Sequence, residues 1–96
     1  MKVFAIGSLV KPLSDEHRKE IMPKEVPATL EHYLEGKIEQ FWFREKVGPI
    51  FLMNVDSLEE AKATLDTLPL VAANLMTYEL MPVGPLAPLR LLIQGK

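Results

Sequence analysis

Few side chains here are equipped for chemistry, and they are bunched. Glu25 sits beside Lys24 between two prolines in "MPKEVP" (22–27), inside a stretch otherwise patterned as a helix. A carboxyl so placed can act as a general acid or base if its surroundings lift its pKa toward about 6 or 7. Otherwise it is a solvated first-turn glutamate, paired with Lys24 or with the helix dipole. His32 follows seven residues on, two turns along one face of a straight helix. A neutral imidazole near a carboxylate would suit a proton relay; the plainer role is an amphipathic residue at the helix rim. In "KIEQFWFRE" (37–45), Trp42 and Arg44 alternate and so point to one side of a strand. Arg44 could hold a substrate carboxylate bidentately beside an aromatic wall, or simply end the strand while Trp42 fills a subunit contact. Glu39 and Gln40 face opposite ways on that strand, so one of them enters any pocket there. Tyr78 and Glu79 could add a phenol or a carboxylate, although an exposed cross-strand pair is the expectation.

Other chemistry is excluded by composition. The chain has no cysteine, which removes disulfides, thiolate nucleophiles and zinc ribbons. His17 and His32 form no metal motif, so no metal site is expected. Ser8, Ser14 and Ser57 have no base nearby in any motif, and the last two are better placed as helix caps. Lys and Arg number 11 against 13 Asp and Glu, a balance that argues against nucleic acid or an acidic membrane surface as partner. No run approaches the roughly 18 apolar residues of a membrane span. The opening "MKVFAIGSLV" lacks the long apolar core of a signal peptide, so a first strand and a cytoplasmic location are expected.

The elements that must position these residues follow from pattern. "KVFAIGSLV" (2–10) is apolar and β-branched, a strand. Ser14 caps a helix with Asp15 and Glu16 in its first turn. Apolar residues then recur at 21, 22, 26, 30, 33 and 34, a helical spacing that runs through both prolines to a stop at Gly36. Each proline removes a donor and crowds the preceding turn, at about 3 kcal/mol in a helix interior. A kinked helix, or two segments end to end, is therefore expected, with the bend setting Glu25 at a pocket mouth under this helix. "KIEQFWFRE" is a second strand, with Phe41 and Phe43 on one face and Ile38 and Trp42 on the other. "IFLMNV" (50–55) is a third. "SLEE" (57–60) reads as a capping box opening a helix with Leu58, Ala61, Leu65 and Leu68 inward, limited by Pro69. "MTYELMPV" (76–83) is a last strand.

The order β-α-β-β-α-β is the ferredoxin-like split βαβ arrangement, an α+β fold with an antiparallel sheet. With helices on one face only, the other face should be polar. Strands two and three are instead apolar on both faces, which predicts a homodimer whose sheets face each other. The 96 residues suit one domain: residues 1–84 as the α+β unit, and an apolar tail, 85–96, laid on a neighbouring subunit.

"SLEEAKATLDTLPL" (57–70), followed by a strand and "MPVGPL", resembles the muconolactone isomerases and their relatives in the dimeric α+β barrel superfamily. "LEGKIEQFWFRE" (34–45) resembles that family's Glu-Gly turn and its aromatic second strand. The likeness implies a proton-transfer isomerase that works on a small unsaturated lactone or carboxylate from aromatic-compound breakdown, with no metal or organic cofactor. It also implies dimers, and decamers among the isomerases themselves. Counting back from Glu35-Gly36, the family's proton-shuttle glutamate falls on Glu25. Arg44 would then hold the substrate anion, with His32, Trp42, Lys24 and Glu39 shaping the site. The sequence departs from the family in its two prolines and in Ile50, Phe51 and Leu52, where polar residues would be expected. A cofactor-free monooxygenase and a non-catalytic ligand-binding or assembly protein of the same fold are the alternatives.

Overall fold

The computed structural model describes residues 1–84; the expected tail lies outside them. The elements run β1 (Lys2–Leu9), α1 (Asp15–Glu20), α2 (Met22–Leu34), β2 (Ile38–Arg44), β3 (Gly48–Asn54), α3 (Leu58–Asp66), α4 (Pro69–Ala72) and β4 (Met76–Val83). The four strands form one antiparallel sheet in the order β2-β3-β1-β4. Val3, Ala5, Phe51, Met53 and Ile38 face the helices and are buried with Ala61, Leu65 and Leu68.

Local chemistry sets the boundaries. Ser14 caps α1 by accepting from the His17 N–H at 3.1 Å, and His17 Nδ1 accepts in return from the Ser14 N–H. At Gly36, φ is +85°, and the N–H groups of Gly36 and Lys37 donate to the carbonyls of Tyr33 and His32. That is the Schellman pattern that closes a helix on a left-handed glycine. Ser57 accepts from the Glu60 N–H. Glu60 reaches past the cap to the Asp56 N–H rather than to that of Ser57.

The prolines split the first helix at Ile21 rather than kinking it. Pro23 lies in the first turn of α2, where its missing N–H would have no intrahelical partner anyway. Pro27 lies inside α2 and only frees the carbonyl of Pro23. The apolar spacing did mark a helix, but only its start, Ile21 and Met22, with Ala28, packs against the core. Val26, Leu30, Tyr33 and Leu34 are exposed, and Glu25 is the one buried residue of α2.

Three further expectations need correction. A bulge between Ile38 and Gln40 shifts the alternation of β2, so Ile38 is buried in the core and Phe41 lies on the same side of the sheet, half-exposed, with its ring edge-on to Tyr33. Leu58 is exposed, and Pro69 begins α4 rather than only ending α3. The sheet face away from the helices carries Phe4, Ile6, Trp42, Ile50, Leu52 and Met81 across its strands. Trp42 remains 47% exposed there, its ring 6.2 Å from that of Phe4.

Candidate functional site

Glu25 is 7% exposed. One of its carboxylate oxygens, Oε1, accepts from the Leu70 N–H at 2.9 Å. Leu70 lies in the first turn of α4, where backbone donors have no partner inside the helix. Glu25 thus caps a helix 45 residues away in sequence. Burial pushes its pKa above the ordinary 4.5, partly offset by that hydrogen bond. The break at Ile21 and the prolines around it aim position 25 inward, where a carboxyl is held among apolar neighbours.

Tyr78, on β4, faces the same layer. Its ring stacks on Phe51 at 5.6 Å between centroids and 24° between planes. Gly7 leaves the room for it, since a Cβ there would sit 2.8 Å from Tyr78 Cε1. The Tyr78 hydroxyl is buried and has no hydrogen-bond partner among the described residues. Burial raises its pKa strongly, and the nearby Glu25 carboxylate raises it further, so the phenol stays protonated and remains a donor. The tyrosine also forms part of the wall of a groove of about 380 Å³ between α3, α4 and β4. Leu65, Val71 and Leu80 supply apolar wall; Lys62, Asp66, Asn74 and Thr77 supply its polar groups. Tyr78 was expected as an exposed cross-strand residue. Its alternation with Leu80 on β4, opposite Gly7 and Ala5 of β1, is the signal that places it inside.

The other sequence candidates lie elsewhere. His32 Nε2 sits 2.7 Å from Thr67 Oγ1. The Thr67 hydroxyl donates to the Thr64 carbonyl, so Nε2 carries the proton and Thr67 accepts it. Nδ1 lies 3.2 Å from Glu35 Oε1. His32 therefore ties the end of α2 to the end of α3, and neither ring nitrogen is placed on Glu25. Arg44 donates to the carbonyls of Gly7 and Gly48, binding three strands together at their ends. Trp42 belongs to the sheet face opposite the groove. Glu39 pairs with Lys2 beside the β2 bulge, Gln40 is exposed, and Lys24 is exposed on α2. Of the sequence candidates, Tyr78 lines the groove, and Glu25 lies behind it, bonded to Leu70 in α4 and close enough for its charge to act on the phenol.

No protein-family model matches the chain, and no curated protein does. Among solved structures it is similar to 5-chloro-2-hydroxyhydroquinone dehydrochlorinase from Burkholderia phenoliruptrix AC1100, in complex with 2,5-dihydroxybenzoquinone. The TM-score is 0.65 at 16% identity, over 85% of this chain and 93% of that one. The chain has the ferredoxin-like α+β fold. At this identity the likeness is one of architecture; what a site does has to come from its own side chains. In the ferredoxin-like arrangement here, the helix layer covers the face bearing Tyr78, and among the described residues nothing covers the face bearing Trp42.

Proposed function

We propose that the protein moves a proton on a small unsaturated ring compound, such as a lactone or a hydroxyquinone, by acid–base chemistry alone. The observation that carries this reading is the buried Glu25 carboxyl, its pKa raised, in the same layer as an unpartnered tyrosine hydroxyl. Glu25 takes a proton from a carbon next to a ring carbonyl and returns it further along the conjugated system. Tyr78 donates a hydrogen bond to the carbonyl oxygen as negative charge gathers on it, the kind of fixed donor that favours an enolate over its keto form. A carboxyl whose pKa lies nearer neutrality is the better proton carrier at physiological pH. A fold neighbour solved with a small quinone supports a ligand of this size.

The open face of the sheet supports a homodimer within this reading. Its aromatic and aliphatic residues would be buried against a second copy, leaving the helices and the groove outside. Light scattering at micromolar concentration should show a dimer or a larger assembly, and a monomer would overturn that part.

The test of the chemistry is muconolactone in D2O. Wild-type protein is expected to isomerise it or exchange deuterium into it, and Glu25→Gln to do neither. Glutamine still offers an oxygen to the Leu70 N–H, so this variant separates proton transfer from helix capping. The hydrogen bond to Leu70 favours a second reading, a non-catalytic ligand-binding protein in which Glu25 only fastens α4 to α2. Equal exchange by wild type and Glu25→Gln, or none by either, would select it.

A further inference from the structure

We propose that the outer edge of β2 pairs with the same edge of a second copy, in an antiparallel register centred on Trp42 and sealed by the apolar stripe of α2. This goes beyond the reading above, because the contact lies at the rim of the sheet and not on its open face. The direction of the backbone bonds in β3 fixes what β2 leaves unpaired. The Val47 carbonyl accepts from the Leu9 N–H, and the Asn54 N–H donates to the Lys37 carbonyl. Odd-numbered residues of β3 therefore bond toward β1 and even-numbered ones toward β2. Gly48, Ile50 and Leu52 are opposite Arg44, Trp42 and Gln40, so the N–H and C=O groups of Phe41 and Phe43 point away from the sheet. A two-fold axis at Trp42 sets each copy's Phe41 opposite the other's Phe43, and each such pair exchanges two backbone hydrogen bonds. In that register Gln40 meets Arg44, and no like charges face each other between residues 40 and 44.

Exposed sheet edges are ordinarily blunted by lysine, proline or a bulge. On β4, the other edge, Pro82 lies opposite Val3 and removes an outward donor. On β2 the bulge comes before Gln40, and residues 40–44 contain neither lysine nor proline. Beside this strand Val26, Leu30, Tyr33 and Leu34 are all exposed and fall on one face of α2. The Tyr33 ring meets that of Phe41 edge-on at 5.5 Å, so the stripe and the strand edge are one surface. Phe41 pairs with the buried Phe51, which puts Phe41 and Phe43 on the helix side, and the two-fold axis brings both α2 stripes to the junction. Tyr33, Phe41, Trp42 and Phe43 are between 44% and 74% exposed; at roughly 150–250 Å² for an aromatic side chain, about 400 Å² of them is open in each copy. Two copies would thus remove about 800 Å² from these rings. The α2 aliphatics and the strand backbone bring the contact to the roughly 1,200–2,000 Å² of a stable interface.

The test is light scattering on the full-length protein over a range of micromolar concentrations, with amide hydrogen exchange at Phe41 and Phe43 of the wild type. Phe43→Pro removes an outward donor that a single copy does not use in its own sheet, and Leu34→Lys charges a residue that is 82% exposed. Each should raise the dissociation constant of this contact by about tenfold or more, so the mass falls, and wild-type protection at Phe41 and Phe43 should fade on dilution. Met81→Lys, on the open sheet face and at the far edge from β2, disturbs only the contact of the reading above. An unchanged mass in either Phe43→Pro or Leu34→Lys, or free exchange at Phe41 and Phe43 in the assembled wild type, overturns the proposal. So does protection that persists in the diluted monomer, which would assign the edge to residues 85–96 of the same chain. A mass that falls only in Met81→Lys overturns the proposal and leaves the open-face dimer standing, whereas a fall confined to Phe43→Pro and Leu34→Lys upholds it and removes that dimer. A wild-type monomer overturns both.

Discussion

Replacing Tyr78 with phenylalanine should make the protein more stable. The change removes one oxygen and nothing else. The ring keeps its stack on Phe51 and its fit against Gly7, and the space vacated is smaller than a methyl group. In the wild type the hydroxyl is out of water with no partner among the described residues. An unpaired buried hydroxyl costs about 1–3 kcal/mol. The dispersion attraction of that one oxygen offsets this by only about 0.1–0.2 kcal/mol for each atom it touches. The net gain is therefore about 1–2 kcal/mol. For a domain of this size that corresponds to a rise in Tm of roughly 4–8 °C per kcal/mol. The assay is thermal and urea unfolding of both proteins at one fixed concentration near pH 7, so that association does not enter the comparison. A Tm that falls by several degrees would refute the reasoning, because it would mean the hydroxyl is satisfied in the folded protein. Stabilisation together with weaker ligand binding is the pairing expected of a polar group kept for function.

Four other outcomes follow from the same geometry. Glu25 has a folded-state pKa above its ordinary 4.5, so the native state binds its proton more tightly than the unfolded chain does. Its contribution to stability is then fully present below about pH 4.5 and is lost as pH rises toward the folded-state value; Glu25→Gln, which lacks this dependence, should gain on wild type between pH 4 and pH 7, and a constant or shrinking gain in urea midpoints would contradict that. Gly7→Ala should cost about 1–3 kcal/mol by overpacking, because its Cβ would meet Tyr78 Cε1 at 2.8 Å and the Pro49 carbonyl oxygen at 3.0 Å; an unchanged unfolding midpoint would show that the ring is free to move. His32→Ala removes the tie to Thr67 and should lower stability by about 1 kcal/mol without touching ligand affinity, so a large affinity loss by NMR titration would return His32 to the site. Trp42→Glu, which places a charge on the open sheet face, should shift the mass measured by light scattering toward the monomer, and an unaltered assembly would place the contact elsewhere.

Much of this molecule was legible one element at a time. Strand and helix order, the caps at Ser14 and Ser57 and the stop at Gly36 depend on a few neighbouring residues, and local backbone energetics settle them. The acid in "MPKEVP" was legible as a special position because prolines constrain a backbone wherever they occur. The assignment of faces was not. In α2 the spacing of apolar residues is that of a helix, yet which stripe turns inward depends on what lies opposite, and opposite Glu25 lies the first turn of α4 with a backbone donor unpaired. In β2 a single bulge near Glu39 moves Ile38 to the other face, a shift that strict alternation cannot foresee.

The candidate site divides in the same way. The flanking prolines and the family resemblance marked Glu25, and residue types put forward Arg44, His32 and Trp42, which the fold uses to hold strand ends, to join two helices and to line the open sheet face. Tyr78 looked ordinary because nothing within four residues of it is unusual. Its ring rests on Phe51 from β3, its space comes from Gly7 on β1, and a charge that shifts its phenol comes from Glu25 on α2. Pattern along the chain determines which segments become strands and helices, because those preferences are local. Which carboxyl leaves water and which hydroxyl loses its partners is decided only when segments distant in the chain pack together, because burial belongs to the assembled layers and not to any one of them.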